Sequence, residues 1–90
     1  MRVVIVWNEQ TDYASEVRSW MRDFQYDTRG TKQIESIDPY TLDGEQFAQM
    51  YDIVQFPTII ALDDDGKVLE EWTGTPLPQI EQVVYWAKDV

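Results

Sequence analysis

The chain changes its hydrophobic rhythm several times, and each change marks an element. Val3, Val4, Ile5, Val6 and Trp7 are apolar on consecutive positions. A strand with one wet face would alternate, so this run predicts a central strand covered on both sides. Tyr13, Val17, Trp20, Met21 and Phe24 then recur at helical spacing, with Glu16, Arg18, Arg22 and Asp23 between them. That pattern predicts an amphipathic helix, capped by Thr11 and followed by Gly30 in a loop. Gln33–Asp38 carries Ile34 and Ile37 and predicts a short strand. Asp38-Pro39 ends it, because proline has no N–H and restrains the residue before it. Asp43-Gly44-Glu45-Gln46 has the spacing of a capping box with Asp43 at the cap. Phe47, Met50 and Tyr51 then form the apolar side of a short second helix.

Thr58–Leu62 is again β-rich, and Asp63-Asp64-Asp65-Gly66 is turn chemistry. Lys67–Trp72 is the returning strand, with Val68 and Trp72 at even spacing around Glu70, which completes a hairpin. Thr75 and Pro76 supply a cap and a first-turn proline for a last helix, whose inner face is Ile80, Val83, Val84 and Ala87. A wide stripe that buries both Tyr85 and Trp86 is the preferred reading there, and an exposed contact patch is the other. The order is β-α-β-α-β-β-α. A right-handed crossover makes the first two strands parallel, and the hairpin makes the last two antiparallel. The expected fold class is α/β, with a mixed four-stranded sheet and helices on both faces, in a single domain over residues 1–90.

Three segments carry a resemblance. Tyr51-Asp52-Ile53-Val54-Gln55-Phe56-Pro57-Thr58 resembles the part of the thioredoxin-like superfamily where a helix ends and a proline-threonine pair opens the third strand. Asp65-Gly66-Lys67-Val68 resembles the family hairpin, and Trp72-Thr73-Gly74 the loop after it. The likeness runs from Arg2 to Lys88 and implies the thioredoxin fold. It also implies a cis Phe56–Pro57 bond facing the turn between the first strand and first helix. The family carries Cys-x-x-Cys in that turn. Here Trp7-Asn8-Glu9-Gln10-Thr11-Asp12-Tyr13-Ala14 occupies the place, with Thr11 and Ala14 at the cysteine positions. Disulfide exchange needs a thiolate, and a threonine hydroxyl neither ionises near neutral pH nor forms a mixed disulfide. The chain contains no cysteine, so the family's oxidoreductase activity is not carried over.

Charge narrows the partners. Seventeen acidic and seven basic residues give a formal net charge of -10. Such a chain repels phosphate backbones and anionic membranes, so no nucleic-acid or membrane partner is expected. Without Cys or His, an ordinary zinc site is excluded. An EF-hand register that puts Gly66 at the invariant glycine places Ala61 and Trp72 at ligand positions, so it fails. No glycine-rich phosphate loop is present, and no metal or cofactor is implied. The Val3–Trp7 run is too short for a signal-peptide core, which makes the cytoplasm the expected location.

Two functional classes remain. The first is a redox-inactive module that binds a protein or peptide without covalent capture, in the groove that the resemblance implies beside Pro57. Its candidate residues are Trp7, Thr11, Tyr13, Phe56, Pro57 and Gly74, and strand-like recognition is its chemistry. Trp7 and Phe56 are equally well read as plugs sealing the core at strand ends. The second is an enzyme with non-thiol chemistry, using Thr11 with Glu9 or Asp12, or one that handles glutathione. Glutathione carries carboxylates and wants a basic residue, whereas Glu9 and Asp12 repel it and Arg2 lies at the far end of the strand. An accessory subunit without groove function is a third reading.

Overall fold

The computed structural model describes residues 1–90. Five strands form one sheet in the order β4-β3-β1-β2-β5. They are β1 (Arg2–Val6), β2 (Lys32–Ile37), β3 (Thr58–Leu62), β4 (Val68–Thr73) and β5 (Lys88–Asp89). The helices are α1 (Ala14–Asp27), α2 (Leu42–Met50) and α3 (Ile80–Val84). β1 runs parallel to β2 and antiparallel to β3, and β3 is antiparallel to β4. The central position of β1 accounts for its unbroken apolar run, since Val3, Val4, Ile5 and Val6 are all 0% exposed.

The two faces of the sheet hold separate cores. Val3 and Ile5 pack with Val17, Trp20 and Phe24 of α1, with Val83 of α3, and with Ala87. Val4 and Val6 pack on the other side with Ala48 of α2, Ile53, Ile60 and Leu62. The β1-α1-β2 crossover and the placement of α2 on the opposite face are what a doubly covered parallel pair requires.

Several local expectations are corrected. The sheet has five strands rather than four, because Lys88 and Asp89 pair with Gln33 and Lys32 of β2. Thr11 does not cap α1: the cap position is Tyr13, without a side-chain hydrogen bond. The Thr11 hydroxyl instead donates to the carbonyl of Asn8 at 2.8 Å. Asp43 does not cap α2. Thr41 does, its Oγ1 accepting from the Gly44 N–H at 3.0 Å, which leaves Asp43 in the first turn. Gly44 must lie inside that turn, because a Cβ there would stand 1.8 Å from the Asp38 carbonyl oxygen. Thr75 and Pro76 do not open α3, which starts at Ile80. Leu77 precedes Pro78 and is disfavoured from helical angles, and the Pro78 carbonyl accepts from Trp20 Nε1 at 2.8 Å. Tyr85 is 68% exposed while Trp86 packs against the core, so the stripe buries one of the pair and not both.

Register breaks once, between Ala61 and Leu62, where β4 carries an extra residue. That bulge lets Leu69 and Trp72, three apart, both pack on the α1 side, and it leaves Val68 exposed. Simple even spacing had paired Val68 with Trp72 instead.

Both longer helices end in the same way. After α2, Asp52 takes a left-handed φ of 53°, and Ile53 N–H bonds the Ala48 carbonyl at 2.8 Å. After α1, Arg29 has the same φ and Gly30 N–H bonds the Gln25 carbonyl at 3.1 Å. These are Schellman endings. The first of them drives Ile53 into the core and sends the chain toward Phe56 and Pro57.

Candidate functional site

The loop between β1 and α1 is organised by Asn8. Its Nδ2 donates to both carboxylate oxygens of Asp38, at 3.0 and 3.1 Å. Its Oδ1 accepts from the Gln10 N–H at 2.8 Å, its carbonyl accepts from Thr11, and its N–H donates to the Tyr13 hydroxyl at 3.2 Å. One side chain thus ties the loop to the end of β2 and closes the turn on itself. An asparagine suits this work, since its amide offers donors and an acceptor together.

Thr11 and Ala14, which the resemblance sets at the cysteine positions, present no activated nucleophile in this setting. Ala14 is buried, and Thr11 gives its hydroxyl proton to a backbone carbonyl rather than to a carboxylate. Glu9 is engaged by Arg18. A nucleophilic threonine needs a base within hydrogen-bond reach, and no hydrogen bond joins Thr11 to Glu9 or Asp12. No group of three or more His, Cys, Asp or Glu side chains is placed to hold a metal.

Beside this loop lies a shallow groove of about 270 Å³, lined by Asp12, Tyr13, Glu16, Phe56, Pro57 and Thr75. The Phe56–Pro57 peptide bond is cis, and so is Thr75–Pro76. Gly74 N–H donates to the Pro57 carbonyl at 2.8 Å, which fixes the 74–75 loop against the proline. Of the six groove candidates, Tyr13, Phe56 and Pro57 line this depression. Gly74 supports it through that hydrogen bond. Trp7 is 7% exposed, and its Nε1 donates to Ser36 Oγ at 2.7 Å, so it sits in the core under the loop. Thr11 is half-buried and turned toward Asn8.

Asp12, Glu16 and Thr75 also line the groove and are not among the six groove candidates, Asp12 entering the sequence reading as a base for Thr11. Glu16 lies in the first turn of α1 and accepts from the Leu77 N–H at 3.3 Å, bridging the helix to the 75–78 loop. The side chain of Asp12 has no hydrogen-bonded or ionic partner within the chain. The mouth of the groove is therefore acidic. Phe56 adds a second feature: its backbone N–H and carbonyl have no partner in the chain, since the ladder of β3 begins only at Thr58.

A second depression, of about 350 Å³, opens on the α2 side, with Pro39, Tyr40, Ala48, Ile53, Val54 and Phe56 as its apolar lining. The rings of Tyr40 and Phe56 stand 6.5 Å apart in a tilted arrangement. Far from both depressions, Arg2 Nε lies 2.9 Å from Glu35 Oε2, in an ion pair whose angle is poor for a hydrogen bond.

With the strand order, the two helix-covered faces and the proline at the start of β3 in place, the architecture is decided. This is a thioredoxin fold. Among the solved structures that match is thioredoxin 1 from the thermophilic eubacterium Thermosipho africanus, at 15% identity and a TM-score of 0.65, covering 94% of this chain and 88% of that one. No protein-family model matches the chain. No curated protein matches it either. At this identity the likeness carries the fold alone, and the chemistry has to be argued from this chain's own residues. No helix is long and apolar enough to cross a membrane.

Proposed function

We propose that this cysteine-free thioredoxin-fold protein is a redox-inactive binding module, which holds an extended peptide non-covalently in the groove beside Pro57. The observation that carries the reading is the free main chain of Phe56, next to the Tyr13 and Pro57 side chains and in a groove open to solvent. Unpaired N–H and carbonyl groups at the end of a strand are what a peptide main chain uses for strand-like recognition. Asp12 and Glu16 at the mouth favour a peptide with a Lys or Arg side chain at that point, and they oppose an anionic ligand such as glutathione. Covalent capture plays no part, because there is no thiol to exchange. A cytoplasmic setting belongs to the same reading.

Selection from a displayed random-peptide library tests the reading. The wild-type chain should enrich extended sequences with a basic residue, and the Asp12→Lys, Glu16→Lys double variant should lose them while keeping its fold by circular dichroism. Equal enrichment on both proteins, or none on the wild type, would sink the proposal.

A further inference from the structure

We infer that the depression on the α2 side is a second docking site, and that its occupant is a basic protein segment anchored by one large apolar side chain. The inference stands apart from the proline groove, although Phe56 borders both.

Space comes first. At about 350 Å³ the depression lies at the low end of ligand-pocket size, which runs from about 300 Å³ upward. Its floor is aliphatic and aromatic, so it suits an inserted side chain rather than a polar group. Apolar surface is also concentrated around it. Tyr40, Leu42, Met50 and Val54 are between 73% and 85% exposed. Tyr40 and Val54 line the depression itself, and Leu42 shares a helical stripe with Glu45 and Gln49, which line it too. Exposed apolar surface gathered in one place, rather than scattered singly, marks an interaction face.

Charge then chooses the occupant. Between Lys32 and Lys67 the chain has no Lys or Arg, yet it carries Glu35, Asp38, Asp43, Glu45, Asp52 and Asp63-Asp64-Asp65. Glu45 and Asp52 stand on the rim, and neither is ion-paired: the four salt bridges of the protein involve other carboxylates. A nucleic acid or an acidic lipid surface is repelled by such a rim. A second copy of the chain would set the same acidic patch against itself, because a two-fold interface pairs like with like. A segment with Lys or Arg flanking a Leu or Phe meets the apolar floor and the acidic rim together.

The test is an amide chemical-shift map of the isotope-labelled chain with two probe peptides. One is acetyl-Lys-Lys-Leu-Phe-Lys-Lys-amide, and the other is its acidic counterpart acetyl-Glu-Glu-Leu-Phe-Glu-Glu-amide. The basic peptide should move the amides of Tyr40, Gln49 and Val54, and the acidic one should leave them in place. Glu45→Lys combined with Asp52→Asn, which suits the left-handed backbone at that position, should weaken the basic peptide about tenfold. Equal response to both peptides would overturn the proposal. So would silence at those amides, or shifts confined to Asp12, Glu16 and Thr58, which would assign basic segments to the proline groove alone. Concentration-dependent shifts at Tyr40 and Val54 without any peptide would give the face to self-association and overturn it as well.

Discussion

The two faces of the sheet are finished differently. On one, α1 and α3 cover the strands with Trp20, Phe24 and Val83, and Trp20 is further tied to the Pro78 carbonyl. On the other, α2 has nine residues and supplies only Ala48 as a buried apolar side chain. Its own Leu42 and Met50, and Tyr40 and Val54 on either side of it in the chain, stay in contact with water. The first face uses its aromatics for stability, and the second leaves apolar surface unused by the fold. Apolar burial and apolar exposure are thus weighted toward different faces, and Phe56 stands at the boundary, bordering both depressions.

That division is broken or sharpened most strongly in the α1 core. Phe24→Ala should cost about 3–5 kcal/mol in urea unfolding, from lost transfer energy and the cavity left behind. A loss near zero would mean that α1 is not the stabilising cover. Next comes Gly44→Ala. A Cβ in collision with the Asp38 backbone must push α2 away, with a destabilisation of about 1–3 kcal/mol. The change should also disturb the α2-side depression while leaving amides of α1 in place. Thr41→Ala removes the cap of the same helix and should cost about 1 kcal/mol. Val54→Ser, at a side chain 85% exposed, should stay within about 0.5 kcal/mol of wild type. A large loss there would show that Val54 belongs to the core rather than to a free surface.

The smallest effect is electrostatic. Asp63 accepts from the Lys67 and Asp65 N–H groups, both at 2.9 Å, and these bonds, that to Lys67 foremost, hold its carboxyl below the ordinary value of 3.8. A carboxyl with a lowered folded pKa contributes stability above its unfolded pKa, and the contribution fades as pH falls through the folded one. Asp63→Asn keeps an acceptor oxygen but cannot titrate. Its stability difference from wild type should therefore be constant above about pH 5 and shrink on acidification. A difference that grows toward acid would reverse the sign assigned to Asp63.

The strongly patterned parts of the fold were legible in the chain. The unbroken Val3–Val6 run, the helical spacing from Val17 to Phe24 and the acidic turn before Gly66 each state their element locally. What escaped depends on tertiary contact. β5 is two charged residues, Lys88 and Asp89, recognisable only by pairing with β2. Thr41 and Asp43 are both good caps, and the choice is made by the close approach of Gly44 to Asp38. The bulge in β4 overrides even spacing. For the sites, the resemblance pointed to Tyr13, Phe56 and Pro57. Glu16 reads as one of the polar positions between the apolar ones of α1, and nothing in the sequence marks Tyr40 or Val54 as site residues. Only folding brings Tyr40 beside Phe56, and Glu16 beside the 75–78 loop.

The central claim is peptide recognition at the unpaired backbone of Phe56. It is tested most directly by an amide shift map of the full chain with acetyl-Gly-Lys-Ile-Lys-Gly-amide at millimolar concentration. Saturable movement of the Phe56 amide together with Asp12, Glu16 and Thr75 is the predicted result. A Phe56 amide that stays still at saturating peptide would contradict it.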